Sequence, residues 1–335
     1  MPDYGKIDRG FFEEYIHPNL GASREDVRLG PTPGVDFGVI DVNDSALVVA
    51  TDPISILPAL GFERAARFAL NIVLADVAVS GFAPQFLSIS FTLPPSMTDA
   101  EFGTLWSAID DAATELGVSV VTGHTARYEG CEYPWIGSAT AFAVGDHDDI
   151  IRPDGTQPGD QVIVTTGPAV EAVGLLTTLF GDRMSLPEDT IATAKRRLSE
   201  TNTVRDALTA GELPVTAIHD ATEGGLQGGL TELAASSGLR LEIDSTTVPT
   251  KPAVDDVCAY LDIEPWHATS SGTLLITAPK QHADRVVAAL HDRGTDAAVV
   301  GTAHTGRGVY VDGTRVRHPE TDPSWAVYAE YATDP

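Results

Sequence analysis

LPVTAIHDATEGGLQGGLTELAASSG, residues 213–238, joins two unlike patterns. A short apolar run, Val215 to Ile218, stops at His219-Asp220. Beyond Thr222-Glu223 come Gly224 and Gly225, and then Leu226, Leu230, Leu233 and Ala234 recur at the spacing of one helix face. The stretch reads as a strand turning into a helix. In one account Asp220 or Thr222 simply caps that helix. In the other, backbone N–H groups at the helix N-terminus face an anion while an acid holds a cation. Strand–turn–helix units occur in many folds, so the rest of the chain has to decide.

The chain has 335 residues, room for two domains with a core each. It is 43% hydrophobic and 21% charged, a folded composition. No apolar run approaches the roughly 20 residues that span a bilayer. The opening MPDYGKIDRGFFEEYIHPNLG is polar and acidic, unlike a signal peptide, so a cytoplasmic location is expected. The formal charge is −27, and the only lysines are Lys6, Lys195, Lys251 and Lys280. A dispersed negative field repels phosphate backbones and argues against nucleic acid as a partner. It suits a salt-rich cytoplasm, where screening removes most self-repulsion, and points to a halophilic origin. Cys131 and Cys258 lie far apart without metal-ligand spacing, so reduced thiols are expected, not zinc or a disulfide framework.

The first half alternates strands and helices. SALVVAT (45–51), PQFLSISFTL (84–93), VSVVTG and WIGSATAFAVG read as strands, and FERAARFALNIVLADVAVSG (62–81) as a helix. TDAEFGTLWSAIDDAATELG opens with a Thr98–Glu101 capping box and keeps Phe102, Leu105, Trp106, Ile109, Ala113 and Leu116 on one face. The turn-rich GDHDDIIRPDGTQPGD (145–160) separates a domain over 1–150 from one over 151–335. In the second half QVIVTTG restarts the pattern, with helices near 169–181 and 189–210, the strand SSGTLLITAP (270–279), the helix QHADRVVAALHDRG and a closing strand, GRGVYVDG.

Four acid- or histidine-bearing stretches of the first half invite chemistry. Asp36 follows glycine-containing turns in GPTPGVDFGVI, Asp52 ends the strand of VVATDPIS, and Asp76 sits on the apolar helix of LNIVLADVAVSGFAP. VVTGHTARY ends a strand in Gly123-His124-Thr125. A carboxylate among Leu74, Val77 and Val79 is costly to desolvate unless paired or metal-bound. Singly, Asp36 and Asp52 also serve as turn residues, and His124 as a structural histidine.

Taken in order, GVDFGVI, ATDPIS, ADVAVSGFAP, TGHT, PGDQVIVTTGPAVEAVG, HDATEGGLQGGL and SSGTLLI resemble the motifs of the AIR synthase (PurM-like) superfamily over about residues 5 to 320. That superfamily includes aminoimidazole ribotide synthetase, thiamine-monophosphate kinase, selenophosphate synthetase and the hydrogenase-maturation carbamoyl dehydratase; the resemblance is nearest to the last branch and its archaeal relatives. It implies an α+β, PurM-like two-domain fold: an N-terminal α/β domain whose sheet pairs into a barrel across a homodimer, and a C-terminal α/β sandwich-type domain. It further implies ATP and Mg2+ as cofactors. Asp36, Asp52, Asp76 and Asp220 would be the metal ligands, and Gly123, Thr125, Gly224 and Gly225 would approach the nucleotide together with Asp36, Asp52 and Asp76. Asp220, Glu223 and His124 would be the catalytic groups. The implied reaction is activation of an oxygen on a small-molecule or protein-borne substrate by phosphoryl transfer. The alternative is a nucleotide-binding regulatory or assembly protein that keeps the fold.

Three positions depart from the resemblance. Val35-Asp36-Phe37-Gly38 stands where the family usually writes an acid and small residues after the first loop glycine. The carbamoyl dehydratase has a C-terminal cysteine that receives the carbamoyl group, whereas this sequence closes on YAEYATDP, so hydrogenase cyanide-ligand synthesis is not expected. The reactive N-terminal cysteine or selenocysteine of selenophosphate synthetase has no counterpart either.

Overall fold

The computed structural model describes residues 5–7 and 9–333, so the outer limits expected for the two domains, residues 1 and 335, lie outside the described residues. The chain divides into an N-terminal unit, Arg24–Gly30 with Asp36–Ile150, and a C-terminal unit that takes Pro31–Val35, Ile151 onward and the described residues up to Ser23. Both mix helices with a mostly antiparallel sheet, the α+β class.

In the N-terminal unit, β1 (Val27–Leu29), β2 (Gly38–Val42), β3 (Ser45–Ser55), β4 (Phe86–Leu93), β5 (Ser119–Arg127) and β6 (Trp135–Gly145) form one sheet in the order β1-β2-β3-β6-β4-β5. Only β4 and β5 run parallel. Period-two alternation buries Ala46, Val48, Ala50 and Ile54 of β3, Leu87, Ile89 and Phe91 of β4, and Ala139, Ala141 and Ala143 of β6. Helix α2 (Phe62–Ala78) packs on β3 and β6 and against α3 (Asp99–Leu116). Its buried Leu70, Val73, Leu74 and Val77 each contribute about 1.5–3 kcal/mol by leaving water. The expected capping box is present: Glu101 N–H donates to Thr98 Oγ1, and Thr98 N–H to the Glu101 carboxylate. Edge strand β5 is exposed at every position but Ala126. TGHT therefore lies inside a strand and does not end one, because pairing with β4 continues from Ser119 to Arg127.

The C-terminal unit holds a short helical turn, α1 (Arg9–Phe11), and strands β7 (Gln161–Thr165), β8 (Ala217–Ala221), β9 (Arg240–Ile243), β10 (Thr273–Ala278), β11 (Ala297–His304), β12 (Gly308–Val311) and β13 (Thr314–Val316), ordered β13-β12-β9-β11-β7-β10-β8. Its other helices are α4 (Val170–Phe180), α5 (Glu188–Lys195), α6 (Val204–Gly211), α7 (Gly225–Ser237), α8 (Val254–Leu261), α9 (Lys280–Asp292) and α10 (Pro323–Thr333). Leu226, Leu230, Leu233 and Ala234 of α7 join Val162, Val164, Leu241 and Leu275 in one core. The alternate strand residues Ile163, Leu274 and Ile276 are buried as well, and α9 packs on their strands. No described helix is long and apolar enough to cross a membrane.

Two expectations on local structure need correction. The helix near 189–210 is broken between α5 and α6, because Thr201 Oγ1 turns back to Leu198 O and Asn202 Oδ1 accepts Val204 N–H. These short polar side chains compete with the helix ladder. The strand GRGVYVDG does not close the unit: β13 and α10 follow. Helix α10 lays Val327, Tyr328 and Tyr331 on the core under α4. Tyr331 packs tilted against Phe180 at 5.4 Å, lies under the Arg183 guanidinium at 5.1 Å, and its carbonyl accepts Arg183 Nη1 at 2.6 Å. Tyr331→Ala is expected to lower unfolding free energy by about 1–3 kcal/mol. Urea titration checks this, and an unchanged midpoint would show α10 to be loosely docked.

Candidate functional site

In the N-terminal unit the expected residues stand on separate elements. Asp36 is half-buried ahead of β2, and Phe37 beside it is a core residue at 3% exposure, so the departure at this position serves packing. Asp52 pairs with Ala139 across β3 and β6. It falls in the alternation of Ala50 and Ile54, on the buried side, and its Oδ2 is buried without a hydrogen-bond partner among the described residues. Asp76 is half-buried on α2 between buried Ala75 and Val77. Gly123 is required by contact: a Cβ there would meet Ile89 O at 2.2 Å. His124 and Thr125 are exposed on β5, and His124 Nε2 lies 3.3 Å from Tyr128 Oη. Among the described residues of this unit, no three histidine, cysteine or carboxylate groups converge within reach of one ion.

In the C-terminal unit the opening stretch gathers most of what was expected of it. Strand β8 extends through His219 and Asp220, at 2% and 4% exposure, because both residues pair with β10. Thr222 O then accepts Gly225 N–H at 3.0 Å, and Gly224 and Gly225 take φ of 82° and 63°. A Cβ on Gly225 would stand 2.6 Å from both Trp266 O and Ala268 O. Neither Asp220 nor Thr222 caps α7, which corrects the capping account. The cap comes from far along the chain: Asp322 Oδ2 accepts Gly224 N–H at 3.0 Å.

Glu223 is turned toward the N-terminal segment, where Lys6 N–H donates to its Oε2 at 2.6 Å. Nine residues on, within α7, Glu232 collects cations. His219 Nε2 lies 3.1 Å from its Oε2, and His318 Nε2 and Lys6 Nζ lie 3.7 and 3.8 Å from its Oε1. Burial pushes the Glu232 carboxyl upward, but the hydrogen bond with His219, the close contact with His318 and the charges of His219 and Lys6 outweigh it. The group ends well below the ordinary carboxylate range. Glu232 in turn raises the His318 imidazole, through their direct side-chain contact first. In the first turn of α4, burial raises the Glu171 carboxyl, which accepts Thr269 Oγ1 and Ser271 N–H. Sequence reading missed Lys6, Glu232, His318 and Asp322, since their positions show no spacing relative to the glycines. The one available signal was Glu232 on α7, six residues past Leu226 and off its apolar face.

A family model described as AIR synthase related protein, N-terminal domain, matches residues 34–145, and its C-terminal domain counterpart matches 157–313. The chain is 27% identical over 273 residues to carbamoyl dehydratase HypE of Rhizobium leguminosarum bv. viciae, covering 80% of this chain and 76% of the relative. The crystal structure of Escherichia coli HypE aligns with a TM-score of 0.71 at 25% identity, over 93% of this chain and 96% of that one. A structure of HypE in complex with ATP aligns at 0.67 and 21% identity, over 94% and 93% of the two chains.

The glycine turn makes its own test. Gly238, which ends α7 at φ 69°, faces open space. Gly238→Ala should cost about 1 kcal/mol, the left-handed penalty alone. Gly225→Ala adds the clash with Trp266 O and Ala268 O and should cost at least about 2 kcal/mol more. Equal losses in denaturant titrations would mean the close approach is soft.

Proposed function

Since this chain belongs to the AIR synthase related family, we propose that it is an ATP- and Mg2+-dependent enzyme that activates a substrate oxygen by phosphoryl transfer. The observation that carries the reading is Asp52. A buried carboxylate oxygen without a hydrogen bond costs about 1–3 kcal/mol, and a hard cation is the partner it fits. Asp36, Asp52 and Asp76 would be Mg2+ ligands in the N-terminal unit, and Asp220 would be one in the C-terminal unit. Mg2+ commonly takes one or two carboxylates and completes its shell with water and phosphate oxygens, so a unit that does not gather three ligands suits it. Bound there, the ion would neutralise triphosphate charge. In the transfer the substrate oxygen bonds to the γ-phosphorus as the bridging P–O bond to ADP breaks, and the phosphorylated oxygen becomes a good leaving group.

The chain's residues would divide the remaining work. Gly123 and Thr125 on β5, and Gly224 and Gly225 at the start of α7, would let backbone approach the nucleotide or substrate. Asp220 is the acid that β8 fixes most rigidly, being paired on a buried strand. His124, on β5, would contact the substrate. Glu223 would act only after giving up the Lys6 amide. The acceptor is a small molecule or a group borne by a protein. The enzyme reading also accommodates a homodimer. Val120 and Val121 are 40% and 56% exposed on an edge strand, with Phe86 and Trp135 also exposed on the same sheet, and an edge of this kind invites a second copy.

Asp52→Asn and Asp76→Asn keep volume and hydrogen bonding but remove a metal-competent charge. If the ligands are direct, Mg2+–ATP affinity should fall by about 2–4 kcal/mol, roughly 30- to 700-fold. Calorimetric titration decides it; unchanged binding in both variants overturns the assignment. Turnover of ATP by the parent protein separates an enzyme from a nucleotide-binding regulator. For the dimer, Val121→Lys should convert the sedimenting species to monomer at micromolar concentration, and a parent protein already monomeric there would refute the pairing.

A further inference from the structure

The segment between β13 and α10 runs back across the start of α7 and is tied to it at separate points. Gln227 Nε2 donates to Arg317 O at 2.8 Å, His318 Nε2 lies 3.7 Å from Glu232 Oε1, and Asp322 Oδ2 accepts Gly224 N–H at 3.0 Å. The His318 ring occupies the space that glycines leave open: a Cβ on Gly224 would be 3.1 Å from its Cε1, and one on Gly228 3.4 Å from its Nε2. The ring is held from its other side, where Nδ1 lies 2.8 Å from Pro319 O. The Gln227 tie is neutral. The imidazole is the tie whose charge changes near neutrality.

We infer that residues 317–322 form a strap over the Gly224–Gly225 turn, closed by the His318–Glu232 contact and released when His318 gives up its proton. Release would carry Asp322 away from Gly224 N–H and leave a free backbone donor at the N-terminus of α7. The charged groups facing His318 set the sense of the switch. Glu232 on α7 attracts the imidazolium, with His219 of β8 behind it. Lys6 of the N-terminal segment stands on the same carboxylate and opposes protonation. Arg317 and Glu320 flank it on its own segment.

Glu232 raises His318 above the ordinary imidazole value of 6.5. The contact is therefore fully present below 6.5 and lost as pH rises through the higher folded-state value. Glu232 stays ionised throughout, since its own titration lies below 4.5. The strap is shut on the acid side of neutrality and slack on the alkaline side.

The inference does not require the proposed reaction, and its test reads amide exchange, not turnover. Deuterium exchange of the full-length protein would be followed from about pH 5.5 to 9, corrected for the intrinsic rate, in peptides covering 222–228 and 317–324. In the parent protein protection of both segments should fall about tenfold across that range, while α3 in the N-terminal unit stays level. His318→Gln should exchange fast at every pH, and His318→Lys, permanently charged, slowly at every pH. Protection that ignores pH in the parent, or a His318→Lys variant that still loses protection on the alkaline side, overturns the strap. If His318→Gln fails to fold, the comparison of parent with His318→Lys decides alone.

Discussion

The C-terminal unit depends on one close approach, the backbone of Gly225 against the carbonyls of Trp266 and Ala268. No side chain fits there, so β8 can end, turn and start α7 only on glycine. That turn sets the direction of α7, and α7 carries both the apolar face that covers the sheet and the polar edge that holds Glu232. The loop that supplies the carbonyls continues into Thr269, Ser270 and Ser271, whose groups bind the first turn of α4 through Ala169 N–H and Glu171. The starts of two helices and the end of a strand are thus fixed by a single packing contact. A turn held this way has little freedom to adapt to a ligand; what can move is whatever lies over it.

Charge imposes the second constraint. A chain at −27 has few cations, and among its lysines Lys6 is drawn onto the largely buried Glu232 and Lys251 onto Asp296 at the surface. An acid as buried as Glu232 is tolerated only when paired, and losing one partner of such a pair leaves an uncompensated charge. The cluster answers this with redundancy: imidazole from β8, ammonium from the N-terminal segment and imidazole from the C-terminal strap. Two contributors are permanent or buried, and one, His318, is half-exposed and titratable. The redundancy lets the strap contact vary without leaving Glu232 bare.

Sequence alone made the layers legible. Alternation gave β4, short strand-like runs gave β3, β6, β7 and β10, and the Thr98 capping box gave the start of α3 to the residue. It failed where the deciding force is tertiary. His219 and Asp220 look like a turn because polar residues usually end a strand, yet pairing with β10 carries the strand through them. TGHT was read as a strand end for the same reason. Helix α10 was missed because its pattern of Trp325, Tyr328 and Tyr331 matches a partner, Phe180, nearly 150 residues away. For the site, the acids and glycines were visible as residue types in motif order. Asp322 and His318 were not, since a cap supplied from a hundred residues downstream leaves no local pattern.

Glu232 and Asp52 are held differently, and the difference bears on function. Glu232 is over-supplied with partners, whereas Asp52 has a buried oxygen that lacks one. Both sit on regular elements, where backbone pairing leaves a side chain few positions, so neither state reflects a loose loop. A fold that can recruit two imidazoles and an ammonium to one carboxylate has the means to satisfy another. Leaving Asp52 Oδ2 bare on a paired, central strand keeps a local cost in place, and such costs persist where a ligand removes them. The rigid strand then holds the oxygen ready for the ion, so that binding needs little rearrangement of the sheet around it.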